Sequence, residues 1–174
     1  RNLQDTARIK RLSIEEWRKL AASFAAGTAL GTDKTSFKLL AKLPEEGWKQ
    51  LRNLFEKIML AAVWPRQLLT TILALLPKKQ GGTRTIGILP SIVRLLLSAY
   101  ASEMREWDRR TALPGDTAAP GVCSQTAVAS RALQIEMAAA QGRTTVQLLW
   151  DFEAYFDSLC TCEAISSLEK LGAP

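Results

Sequence analysis

The sequence predicts an α+β fold, rich in helices and carrying one β-hairpin. Apolar residues recur at helical spacing over residues 14–24 and 48–62, and again over 91–110. Between these stretches an apolar run and an alternating run flank Gln80-Gly81-Gly82, a pattern that turns a chain back on itself. The resulting order is helices, a hairpin, two helices, a strand and a helix. It lacks the regular βαβ alternation of a parallel sheet.

Each element has a local cause. Ser13-Ile14-Glu15-Glu16 reads as a capping box, with Ile14, Trp17, Leu20, Ala21 and Phe24 following on one helical face and Gly27 as the stop. Thr28 to Asp33 is a small, turn-prone loop, and Ser36 to Lys42 a short helix. Pro44 at a first helical position, with Glu45 and Glu46 in the first turn, opens a helix whose apolar face is Trp48, Leu51, Phe55, Ile58, Met59 and Ala62. Trp64-Pro65 ends it, because a residue before proline avoids the helical region. Leu69 to Leu76 is expected to be a buried strand, and Thr83 to Leu89 its hairpin partner. A single long helix is expected from Ser91 to about Arg110, with Ile92, Leu95, Leu96, Ala99, Met104 and Trp107 on one side. Residues 111–123 are rich in Pro and Gly. A small-residue helix over Gln125–Ala140, a strand over Thr144–Trp150 and a helix over Thr161–Leu171 complete the reading. The last strand needs a partner for its backbone groups, so the sheet is expected to be incomplete within this chain.

Composition narrows the chemistry. The 174 residues are 47% hydrophobic and 23% charged, which places the chain among globular domains rather than disordered segments. Histidine is absent, which excludes Ser-His-Asp and Cys-His catalysis and His-containing metal sites within the chain. The three cysteines, Cys123, Cys160 and Cys162, are too few for a disulfide framework or a structural zinc site and fit a reducing, intracellular setting in nucleus or cytoplasm. No secretory signal is evident, and the apolar stretch Leu68–Pro77 is too short to cross a bilayer. The formal charge of +6 is split unevenly: residues 1–100 hold 17 Lys/Arg against 7 Asp/Glu, and residues 101–174 hold 6 against 10. A basic first half suits a polyanion, and an acidic second half suits metal ions. Ordinary surface charge is the plain alternative.

Two segments carry chemistry. Leu148-Leu149-Trp150 ends in Asp151, followed by Phe152-Glu153-Ala154-Tyr155-Phe156-Asp157. Carboxylates at a strand end are natural ligands for Mg²⁺, and two such ions stabilise attacking and leaving oxygens in phosphoryl transfer. The same residues read equally as caps, Asp151 at the strand-to-helix turn and Asp157 at the next helix. In the second segment, Lys78, Lys79 and Arg84 flank a flexible hairpin turn and could clamp a triphosphate or a nucleic-acid backbone. They read equally as charges that keep an exposed hairpin in solution.

Taken in order, these segments resemble the fingers and first palm strand of a reverse transcriptase, an RNA-directed DNA polymerase, of the non-LTR retrotransposon or group II intron type. Leu30-Gly31-Thr32-Asp33 resembles the family's segment ahead of the fingers. Trp64-Pro65 and Leu75-Leu76-Pro77-Lys78-Lys79 resemble its next block, Arg84-Thr85-Ile86 through Arg94-Leu95-Leu96 the one after, Gly121 to Ser130 a weaker one, and Asp151 to Asp157 the first palm motif. The resemblance covers nearly the whole chain.

It implies a right-hand polymerase, incomplete here, in three parts: residues 1–66 as a helical N-terminal part of the fingers, 67–143 as the fingers hairpin and helices, and 144–174 as the start of the palm. It implies that Asp151 is a catalytic, metal-binding carboxylate, that Phe152 lends its backbone carbonyl to the same Mg²⁺ or Mn²⁺, and that Phe156 lies under the incoming sugar and excludes a 2′-hydroxyl. Arg84, with Lys78 and Lys79, would bind the incoming dNTP, and the same three with Arg94 would touch nucleic acid. RNA template, DNA primer and dNTP are the implied partners, with no membrane. The sequence departs from the pattern at Thr85, where proline is usual, at Ala154, where lysine is usual, and at Tyr155, a bulky residue where alanine is usual. No Asp-Asp pair occurs, so the second carboxylate motif is missing and this stretch alone is expected to be inactive. Two other readings remain at this stage: a non-catalytic nucleic-acid-binding remnant of a retroelement, and a helical interaction domain.

Overall fold

The computed structural model describes residues 11–112, 123–148 and 158–173. The chain divides into two compact units, Arg1–Ser102 and Glu103–Pro174. Among the described residues there are seven α-helices and one two-stranded antiparallel sheet, so the α+β expectation holds at the level of class.

The first unit is built on a helical core. Helix α1 (Ile14–Ala22) opens with the expected capping box: the Glu16 backbone N–H donates to Ser13 Oγ at 3.3 Å, and the Ser13 N–H donates to Glu16 Oε2 at 2.7 Å. Helix α2 (Phe37–Ala41) is capped by Ser36, whose Oγ accepts from Leu39 N–H at 3.2 Å. Helix α3 (Glu45–Ala61) has Pro44 as its N-cap, so it begins one position later than expected. It ends on Ala62 in the left-handed region at φ 51°, before Trp64-Pro65 is reached. A 3₁₀ turn, Arg66–Leu68, leads to strand β1 (Ile72–Pro77), which pairs with β2 (Thr83–Ile88). Helix α4 (Ser91–Ala99) follows directly.

Helix α1 packs on α2, α3 and α4. Their apolar faces meet in one cluster of Trp17, Ala21, Phe37, Leu40, Trp48, Phe55, Ile58, Leu95, Leu96 and Ala99, all buried. Trp17 and Phe55 hold their rings 4.8 Å apart in a tilted pair, and Phe24 stacks on Phe37 at 3.7 Å.

Two expectations change between residues 69 and 111. The single helix over 91–110 is two helices, α4 and α5 (Ala101–Thr111), separated at Tyr100, whose φ of −101° and ψ of 3° close the first. The strand expected to be buried is mostly exposed, with Leu73 at 67% and Leu75 at 64%. Both faces of the hairpin carry apolar side chains here and most of them are exposed, so an apolar run does not by itself mean burial.

The second unit holds α5, α6 (Ser124–Ala140) and α7 (Thr161–Lys170). Trp107 on α5 is buried, and its Nε1–H donates to the Leu171 carbonyl at 3.0 Å. Helix α6 is mostly exposed, with only Ala138 buried. Residues 144–148 form no strand, against expectation: among the described residues the only ladder joins β1 to β2, and an extended segment without a ladder partner is not a strand. Residues 149–150 lie outside the described residues. No helix among the described residues is long and apolar enough to cross a membrane.

Candidate nucleic-acid interface

Positive charge without a counter-charge marks the candidate site. From Lys57 to Ser102 the sequence holds six cations, Lys57, Arg66, Lys78, Lys79, Arg84 and Arg94, and no Asp or Glu. In the first unit the ion pairs among described residues fall on α1 and α3, where the acids are: Lys19 with Glu15, Lys49 with Glu45 and Glu46, and Arg52 with Glu56.

Three of the six cations surround the hairpin turn. Leu76 pairs with Arg84 and Pro77 with Thr83, so the ladder closes beside Lys78. The turn over Lys78–Gly82 is held by Lys78 N–H to the Gly82 carbonyl at 3.0 Å and Gly81 N–H to the Lys78 carbonyl at 3.2 Å. Gly81 and Gly82 sit at φ 88° and 81°, a conformation that a residue with a Cβ adopts only under strain. The fold thus places Lys78, Lys79 and Arg84 together at one end of a two-stranded ribbon. All three are exposed and make no ion pair among the described residues.

The base of the ribbon is fixed by the Leu30–Asp33 loop. Thr32 Oγ1 donates to the Thr70 carbonyl at 3.0 Å, just before β1. The Asp33 carboxylate accepts the Ile92 N–H at 3.0 Å through Oδ2, filling the first turn of α4 after Pro90 supplies no side-chain cap. Its other oxygen faces Thr35 N–H at 3.5 Å. Gly31 lies so close to the ribbon's exit that a Cβ there would stand 2.5 Å from both the Leu89 carbonyl oxygen and Pro90 Cα. The roles of Gly31, Thr32 and Asp33 join residues far apart in sequence, and no local signal exposes them.

Arg94, expected to touch nucleic acid, is placed differently from the hairpin cations. Its Nη2 donates to the Ala29 carbonyl at 2.6 Å and to Ser91 Oγ at 3.1 Å, and its guanidinium stands 5.1 Å from the centre of the Phe37 ring. It is half-buried and ties α4 to the loop before α2. Cys123, at the N-cap of α6, has its thiol pKa held below the ordinary cysteine value. The backbone N–H of Thr126, that of Gln125 and the Thr126 hydroxyl all favour the thiolate.

Asp151, Phe152, Phe156 and Asp157, with Ala154 and Tyr155, lie outside the described residues. Among the described residues, no group of three His, Cys, Asp or Glu comes together to hold a metal ion. No family model, curated protein or solved structure matches the chain.

Proposed function

We propose that this chain forms the fingers and the first palm strand of an RNA-directed DNA polymerase, the reading that the motif order carries. In this reading, Lys78, Lys79 and Arg84 engage the phosphates of template and incoming dNTP, and Asp151 with the Phe152 carbonyl holds Mg²⁺ or Mn²⁺. The ion would supply charge stabilisation at the attacking and leaving oxygens. Phe156 would exclude a 2′-hydroxyl by its bulk. The observation that supports the reading best is the hairpin end itself: three exposed cations held on a ribbon whose base is pinned to a helical core, with no acid in the surrounding 46 residues, 57–102. A polyanion is the partner that such a surface attracts.

The test is binding of the full chain to an RNA template annealed to a DNA primer, followed across a salt series. Binding that weakens steeply with salt, and that is largely lost in the combined variant Lys78→Ala, Lys79→Ala, Arg84→Ala, supports the reading. No binding at low salt overturns it and leaves a helical interaction domain. The exposed cations equally favour a non-catalytic binding module, a remnant of a retroelement. Because this stretch lacks the second carboxylate motif, it extends no primer on its own in this reading; primer extension that disappears in Asp151→Ala would show a complete enzyme and exclude that module.

A further inference from the structure

We infer that a second row of cations, Lys34, Lys38 and Lys42, is a phosphate-binding track that extends the nucleic-acid interface beyond the hairpin; the inference rests on the polyanion reading above. The three lysines recur at every fourth position through α2 and its flanks, and all are exposed. Lys38 and Lys42 stand one helical turn apart, about 6 Å along the axis. Like charges at this spacing repel and weaken a helix. The sequence from Lys34 to Leu43 contains no acid to offset them, and none of the three makes an ion pair among the described residues. The neighbouring acid, Asp33, keeps its charge but points to Ile92 N–H and makes no ion pair with Lys34.

Lys34 adds an independent sign. It occupies the left-handed region at φ 49°, closing a turn through its N–H to the Gly31 carbonyl at 3.0 Å. Glycine or asparagine takes this conformation at lower cost than lysine. The backbone that carries these lysines is anchored. Phe37 and Leu40 anchor α2 in the core, and the preceding loop is bound to the hairpin base through Thr32 and Thr70. Three exposed lysines without ion pairs among the described residues, on backbone joined to the base of the cationic ribbon, suit the repeated charges of a single strand.

The experiment follows the affinity of the full chain for an unstructured oligouridylate across a salt series. In the combined variant Lys34→Gln, Lys38→Gln, Lys42→Gln, the slope of log affinity against log salt falls by about 2, three single-strand phosphate contacts at about 0.7 each. The matching Lys→Arg variant keeps the slope. A slope unchanged by the Gln variant, while Lys78→Gln, Lys79→Gln, Arg84→Gln lowers it, overturns the track and leaves the hairpin reading standing. No binding by the parent chain at low salt overturns both.

Discussion

The carboxylate of Asp33 caps a helix that begins 58 residues later: its Oδ2 accepts the N–H of Ile92 at 3.0 Å. The bond is charge-assisted and half-buried, a combination worth about 1.5–3 kcal/mol when a charged acceptor meets a backbone donor. Asp33→Ala should therefore lower stability by about 1–2 kcal/mol, as expected for a lost cap. Asp33→Asn, which keeps an oxygen acceptor, should lose less. Urea unfolding of both variants checks the order, and no loss in Asp33→Ala would show that the carboxylate does not act as a cap.

Gly31 and Gly27 make a matched pair of probes. A Cβ at Gly31 meets Leu89 and Pro90 backbone at 2.5 Å, whereas at Gly27 it meets nothing within 4 Å. Gly31→Ala should cost about 1–3 kcal/mol through overpacking against backbone that cannot move aside. Gly27→Ala should be neutral or stabilising by about 0.4–1 kcal/mol, because it narrows the unfolded ensemble. Thermal melting of the two variants reads the difference.

Burial divides the leucines. Leu95 is fully buried in the α1–α4 core, while Leu73 on β1 is 67% exposed. Leu95→Ala should cost about 2–5 kcal/mol, and Leu73→Ala should stay within about 0.5 kcal/mol. A large loss at Leu73 would mean that the ribbon face is covered in solution.

Cys123 should alkylate at lower pH than an ordinary cysteine. Hydrogen bonds from Thr126 and Gln125 N–H, then the Thr126 hydroxyl, favour its thiolate. A folded pKa below the unfolded one makes the reactive form appear earlier as pH rises. Thr126→Val removes only the hydroxyl and should move the midpoint part of the way back up. The pH dependence of iodoacetamide labelling, resolved by peptide mass, measures it; a midpoint at the ordinary cysteine value would show that these groups do not favour the thiolate.

What could be read from the sequence was local. The Ser13–Glu16 capping box, the Ser36 helix start and the Gly81-Gly82 turn each depend on neighbours within a few residues, and each is found where expected. The break at Tyr100 was missed because the apolar spacing continues through it to Trp107. β1 begins at Ile72 rather than Leu69, since Leu69 closes the 3₁₀ turn and the Thr70 carbonyl is taken by Thr32. The cations of the hairpin were legible as a cluster. The part of Arg94 in the fold was not, because its partners Ala29 and Phe37 lie more than fifty positions away. The row at Lys34, Lys38 and Lys42 becomes informative only once the three are seen to be exposed and without ion pairs among the described residues.

The amide proton of Ile92 is a gauge for everything between the two ends of the Asp33 bond. Helices α2 and α3 and both strands lie inside the loop that this contact closes. Any opening of that loop long enough to admit water exposes the one proton. Its exchange rate with deuterium would report, from a single site, how often the helical core and the base of the cationic ribbon part company.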